Sequence, residues 1–210
     1  MDFKNNKDAY YQLSVEVKPF YTILSRLFDV IMSFVALIVS SPLVLIAAIA
    51  IKLDDGGAVF YTQNRVGKDK KEFTIYKMRS MKEEDDEAEF VETDVNDCRI
   101  TRVGKFIRKT RIDEIPQLLN ILFGDMKLIG PRPLVPEQIE EFSENLPEFV
   151  NRLVVKPGLT GLAQVSGGND LTPEEKLILD VEYIEHRGFL LDLKIIGKTI
   201  MVVLSGDGAR

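Results

Sequence analysis

From Val30 to Ile51 the chain reads VIMSFVALIVSSPLVLIAAIAI, a run of roughly 20 residues with no charged side chain. Wound as an α-helix it is about 30 Å long, the thickness of a bilayer's hydrocarbon core. Any fold of this chain has to leave that segment in lipid, so the sequence predicts a membrane helix. Ser40, Ser41 and Pro42 interrupt the run near its middle. Proline removes one backbone donor and collides with the carbonyl of Ile38, which opens a kink. The hydroxyls of Ser40 and Ser41 are placed to satisfy the carbonyls released. Flanking charge is basic on both sides, with Arg26 before and Lys52, Arg65, Lys68, Lys70 and Lys71 after, so the positive-inside rule selects no orientation. A helix that enters and leaves on the cytoplasmic face shows that balance; a bitopic helix with a proline kink is the alternative.

The 25 residues at the N-terminus are polar with scattered aromatics and lack the apolar stretch and small-residue cleavage site of a secretory signal. The chain has 210 residues and a mass of 23.8 kDa, which suits one domain with appendages. Its formal net charge of -6 argues against a nucleic-acid partner, for which a basic face is needed. Charge is segregated all the same: an acidic run from Glu83 to Glu89, read as a solvated loop, precedes a basic one from Arg99 to Arg111. The single Cys98 and single His186 exclude a disulfide framework, a cysteine-based zinc site and a multi-histidine metal centre. His186, in the charged segment EYIEHRG, reads as a surface residue. Catalysis has to rest on carboxylates, lysines and arginines.

Beyond Ile51, AVFYTQNRVG and EFTIYKMRSM alternate as short strands joined by the turn GKDKK. A helix is expected near 113–123 and ends at Gly124, followed by a glycine- and proline-rich loop to Pro136 and a helix from Pro136 to about Phe142. KPGLTGLAQVSGGND is too rich in glycine for a helix and reads as a structured loop around a short strand. Thr172, Pro173 and Glu175 occupy the cap, first and third positions of a helix through about His186. The last segment, GFLLDLKIIGKTIMVVLSG, predicts an amphipathic helix that packs on the domain or lies on the membrane.

Residues 108–133, RKTRIDEIPQLLNILFGDMKLIGPRP, concentrate the candidate chemistry. Asp113 fits the N-cap of the helix through Leu118, Leu119 and Leu122, because Pro116 then falls in the first turn. A helix N-terminus attracts anions. The plainer alternative is that Asp113 only caps, Glu114 only complements the dipole, and Arg108, Lys109 and Arg111 are solvated.

Taken together, SRLFDVIMS, the Ser41-Pro42 break, AVFYTQNRVG, YKMRSM, RITRVGKFIRKTRIDEIPQLLNILFGDMKLIGPRP and KPGLTGLAQVSG resemble the bacterial sugar transferase family, the monotopic polyprenyl-phosphate phosphoglycosyltransferases. The likeness runs from about Arg26 to the C-terminus. It implies a mostly helical α+β fold: a polar segment at 1–25, a re-entrant membrane helix at 26–52 turned back at Ser41 and Pro42, and a catalytic domain at 53–210. That domain would hold a short β-hairpin and membrane-surface helices, on the cytoplasmic face of the bacterial inner membrane. The implied reaction moves a sugar phosphate from a UDP-sugar to undecaprenyl phosphate and releases UMP, with Mg²⁺ as cofactor; a homodimer is compatible with it.

Matched by motif, Asp113 is the implied nucleophile and magnesium ligand, and Glu114 its partner in the dyad. Arg108 would bind phosphate, Arg132, held between Pro131 and Pro133, would contact the nucleotide, and Lys77 and Arg79 of YKMRSM join the substrate-binding residues. Arg111 carries less weight. Where the family carries an arginine after the first glycine of its VSG motif, this chain has Gly168, and Lys156 is the neighbouring cation able to replace it. A catalytically silent membrane-anchored scaffold for glycan assembly is the competing reading.

Overall fold

The computed structural model describes residues 19–82 and 97–205. The acidic run and most of the polar N-terminal segment lie outside them. The apolar run forms the middle of one helix, α1 (Pro19–Asp54), which starts earlier than the 26–52 segment expected from sequence and continues through Pro42 without a break in its helical assignment. The carbonyl of Ile38, which Pro42 cannot satisfy, accepts a hydrogen bond from Ser41 Oγ at 2.8 Å, and Ser40 Oγ donates to the Ala36 carbonyl at 2.6 Å. Ser41 thus repairs the ladder where proline opens it, and Ser40 adds a second bond, to the carbonyl one turn before it.

One stripe of α1, at intervals of three or four residues, faces protein. Tyr21, Ser25, Asp29 and Ser33 are buried in its first half, and Ala47 and Ile51 in its second. The opposite face exposes Phe20, Ile23, Leu27, Phe34, Ile38, Val39, Leu45, Ile46 and Ile49. An unbroken apolar face of this extent is foreign to a soluble surface and marks contact with lipid.

The rest of the chain packs along this stripe. Strands β1 (Phe60–Val66) and β2 (Glu72–Met78) form the expected antiparallel hairpin, with Phe60 opposite Met78 and Val66 opposite Glu72. Helix α2 (Arg102–Lys109) follows, then a 3-10 turn over Ile112–Glu114 and helix α3 (Gln117–Phe123), closed by Gly124 in the left-handed region at φ 94°. A two-stranded parallel ladder, β3 (Lys127–Ile129) with β4 (Gly158–Thr160), stands where the sequence reading placed only loop before Pro136. Strands of three residues are too short to show an alternating pattern. Between them lie α4 (Pro136–Asn145) and a 3-10 stretch over Pro147–Val154.

After β4 the glycine-rich segment contains a single helical turn, α5 (Leu162–Val165), beyond the strand that was expected. Helix α6 (Pro173–His186) has the full reciprocal cap between Thr172 and Glu175, and α7 (Phe189–Ser205) ends the described chain. Four apolar clusters make the core. One joins Ala47 and Ile51 of α1 to Met78, Ile107 and Ile112; another joins Ala36 and Leu37 to Ile75, Leu118, Ile121 and Met126.

Candidate active site

The site assembles where α2, the turn at 112–114, β2 and the loop after β3 converge. Thr101 caps α2 by accepting from the Gly104 amide at 2.9 Å. Gly104 lies so near the Ser80 carbonyl that a Cβ there would approach its oxygen to 1.9 Å, so only glycine lets α2 close on the hairpin. At the end of α2 the backbone of Arg111 turns left-handed, φ 56°, and starts the 3-10 turn that carries the two carboxylates.

This corrects the sequence reading of Asp113. It is not the N-cap of α3; Pro116 stands there, with no side-chain cap. The left-handed Arg111 gives Ile112–Glu114 a turn of its own, so the Asp113 carboxylate is not used on helix amides. Among the described residues no side chain or amide hydrogen-bonds to it.

Glu114 is held firmly. Arg132 Nη2 donates to its Oε1 at 2.7 Å, and the Lys77 ammonium lies 3.8 Å from the same oxygen. The geometry depends on Asn120, which is fully buried in α3: its Nδ2 donates to the Thr74 carbonyl at 2.7 Å and its Oδ1 accepts from the Tyr76 amide at 3.1 Å. Those two bonds fasten α3 to β2 and fix the dyad relative to Lys77. A polar residue inside the apolar LLNILF was the available sequence signal, and the sequence reading passed over it.

Arg132 is presented from behind by paired loops. The Gly130 amide donates to the Thr160 carbonyl and the Gly158 amide to the Pro131 carbonyl, both at 2.9 Å. A Cβ on Gly158 would fall 2.1 Å from the Gly130 nitrogen, so the DMKLIGPRP and KPGLTG motifs meet through glycine. Pro131 and Pro133 are buried, and the Arg132 carbonyl accepts from Arg152 Nη2 at 3.0 Å. Arg152 itself is clamped to the buried Asp180, Nε to Oδ2 at 2.9 Å.

Electrostatics separate the two acids. Burial raises Asp113, the neighbouring Glu114 charge raises it further, and Lys77, Arg108 and Arg132 oppose both. Burial also works against ionising Glu114, but Arg132 and Lys77 outweigh it and hold that carboxyl well below its usual range. Burial lowers the Lys77 ammonium to about 8 despite the pull of Glu114. Arg108 and Arg111 both act on the dyad through their charge, the first on Asp113 and the second on Glu114.

Not every expected residue joins this cluster. Arg79 forms an ion pair with Asp55, just beyond α1, and packs against Gly57. Lys156 donates to the Gly124 carbonyl at 2.5 Å, at the far end of α3, where Arg26 of α1 also bonds the Ile121 and Leu122 carbonyls at 2.6 and 2.9 Å. These cations neutralise a helix C-terminus, so Lys156 does not replace the arginine absent at Gly168. Arg65, on β1, was read only as flanking charge; it contacts the Pro133 carbonyl at 3.4 Å and feels the charges of both Arg132 and Glu114.

For a divalent cation the protein offers little on its own. Among the described residues no group of three or more histidine, cysteine, aspartate or glutamate side chains comes together. With Glu114 engaged, Asp113 is the one available carboxylate of the dyad. That donor set fits Mg²⁺ if water and substrate phosphate oxygens complete its shell, as this ion favours.

Residues 20–206 match the model of the family described as bacterial sugar transferase. The chain is 42% identical over 197 residues to the UDP-N-acetylgalactosamine-undecaprenyl-phosphate N-acetylgalactosaminephosphotransferase of Aeromonas hydrophila, covering 91% of this chain and 46% of that protein. It is 41% identical over 188 residues to the uncharacterized sugar transferase EpsL of Bacillus subtilis, covering 90% and 91% of the two chains. With the UDP-glucose:undecaprenyl-phosphate glucose-1-phosphate transferase of Caulobacter vibrioides the identity is 39% over 189 residues, covering 88% and 71%. The chain thus spans about half the length of the Aeromonas relative and nine-tenths of the Bacillus one. A match of this extent makes the chain a member of the bacterial sugar transferase family.

Proposed function

We propose that the protein transfers a sugar phosphate from a UDP-sugar to undecaprenyl phosphate, in two displacements through Asp113. An Asp113 oxygen attacks the phosphorus next to the sugar; the bond from that phosphorus to the bridging oxygen breaks, and UMP leaves with the electron pair. A phosphate oxygen of the lipid then attacks the same phosphorus, releases Asp113 and carries away the sugar phosphate as a lipid diphosphate. The observation that supports these roles is the asymmetry of the dyad: Glu114 is bound by Arg132 and Lys77, while Asp113 is half-buried, raised and free of hydrogen-bond donors among the described residues. A desolvated carboxylate without donors is the more nucleophilic of the two.

Glu114 orients Arg132 and Lys77, and the cations around the dyad offset charge as two phosphates meet. Mg²⁺, held by Asp113 and the substrate diphosphate, would supply further neutralisation at the transferring group. The names of the relatives support a UDP-sugar and undecaprenyl phosphate as substrates and leave the sugar undetermined, since they differ in it. Because both halves of α1 pack on the same domain, we place that domain and both helix ends on the cytoplasmic face, where UDP-sugars are made.

The test is a quenched reaction of purified protein with a panel of UDP-sugars, followed by mass analysis. A phosphosugar adduct on Asp113, and its loss together with turnover in Asp113→Asn, is the expected result. Turnover of that variant within about tenfold of wild type would sink the covalent role. If no UDP-sugar releases UMP while the protein is folded, the scaffold reading takes over.

A further inference from the structure

Arg65 lies beside the dyad without a carboxylate of its own among the described residues. By the hairpin register it shares the inner face with Gln63, Ile75 and Lys77, the face turned to the dyad. Its Nη2 donates to Gln63 Oε1 at 2.6 Å, its Nη1 makes only a 3.4 Å contact with the Pro133 carbonyl, and its Nε is buried with no acceptor. Among the described residues it has no carboxylate partner within ion-pair reach: of the two carboxylates whose charge it feels, Glu114 is bound by Arg132 and Lys77, and Glu137 lies beyond ion-pair distance. Arg132 stands near enough to repel it.

A half-buried guanidinium whose Nε is shut off from water and which has no anion beside it is costly, and a fold keeps one where something else completes it. Here the missing partner has a defined chemistry. Two forked cations on either side of Pro133, one of them uncommitted, match the several oxygens of a phosphate group. We propose that Arg65 and Arg132 form a phosphate cradle beside the dyad, in which Arg65 supplies the positive charge not already committed to Glu114. The proposal rests on the reading of the protein as a sugar-phosphate transferase, which offers two sources of that phosphate: the nucleotide donor and the lipid acceptor.

The experiment uses the full chain in detergent micelles and phosphate-free buffer, as wild type, Arg65→Gln and Arg65→Lys. Melting temperature is read with and without inorganic phosphate, UMP, or a short polyprenyl phosphate. Removing an uncompensated cation should leave the ligand-free melting temperature of Arg65→Gln at or above that of wild type, while the rise produced by at least one phosphate probe disappears. Loss of the UMP response alone assigns the cradle to the donor, and loss of the lipid response alone assigns it to the acceptor. Arg65→Lys, which keeps the charge but not the fork, should retain part of the shift and raise KM for the same substrate with little change in kcat.

A lower ligand-free melting temperature in Arg65→Gln, with every ligand-induced rise intact, would overturn the cradle and make Arg65 a brace for Gln63 and Pro133. Should Arg65→Gln not fold, the lysine variant decides: unchanged KM and unchanged shifts overturn the proposal. Wild-type turnover separates this from the reading beneath it. An active wild type with an unaffected Arg65 variant removes the cradle alone, whereas a folded wild type inactive with all UDP-sugars removes the transferase reading itself.

Discussion

Asp113 and Glu114 are neighbours of nearly the same chemistry, and what separates them is who reaches each one. The signs of their shifts lead to opposite dependences of stability on pH. Asp113, raised in the folded chain, favours the native state fully below its unfolded value and loses that contribution as pH rises through the folded one. Glu114, lowered, contributes above its unfolded value and loses it as pH falls through the folded one. At neutral pH, therefore, Asp113→Asn should melt higher than wild type, by about 2–4 °C for a gain of about 1 kcal/mol, while Glu114→Gln should melt lower. A calorimetric scan of the two variants checks both signs.

The same groups shape the rate. kcat/KM should fall on the acidic side at a pH above the ordinary carboxylate range, where Asp113 gains a proton, and on the basic side near 8, where Lys77 loses one. Lys77→Arg should abolish the basic limb, and a profile that still turns down near 8 in that variant would remove Lys77 from the site. Arg132→Lys keeps the charge but cannot reproduce the fork that binds Glu114, so kcat/KM should drop tenfold or more in a steady-state assay. These residues were largely legible in the sequence because acids and arginines stand out in motifs. Their division of labour was not: it depends on the left-handed Arg111, which a sequence does not announce, and on Arg65, which has no carboxylate partner among the described residues.

At the scale of elements, the hairpin and helices α4, α6 and α7 could be read directly, since alternation, a proline at the first turn and a reciprocal cap are local signals. The β3–β4 ladder could not, because its two strands lie some thirty residues apart and pair through glycines. Lys156 shows a related limit: a cation beside a motif can serve a helix end as readily as a phosphate. Asn120 is the element-scale residue with the clearest cost. Asn120→Ala would strand the Thr74 carbonyl and the Tyr76 amide, destabilising the fold by about 2–4 kcal/mol. It should also reduce kcat by loosening Lys77 against Glu114. Chemical denaturation measures the first effect and turnover at saturating substrate the second.

For the molecule as a whole, α1 is as much a wall of the catalytic domain as a membrane anchor. Tyr21 donates to Asp192 of α7 at 2.7 Å, Asp29 accepts from the Leu128 amide at 3.2 Å, and Ile51 packs with Met78 and Ile107 at the other end. Single cysteines introduced near residues 22 and 53 of a Cys98→Ser background should therefore react with an impermeant thiol reagent from the same side of sealed vesicles. Labelling from opposite sides would show that the helix crosses.

The distances along the chain between α1 and its partners also determine the order in which the protein can be made. The helix is translated before the groups that meet its polar stripe, Leu128 and Asp192, which follow their partners by roughly 100 and 170 residues. During that interval Asp29 lacks the Leu128 amide it accepts from in the fold, and the apolar flank has only lipid or a chaperone to meet it. The contact that fastens the start of α1 can therefore form only once α7 has been made, because its Asp192 is the group that accepts from Tyr21.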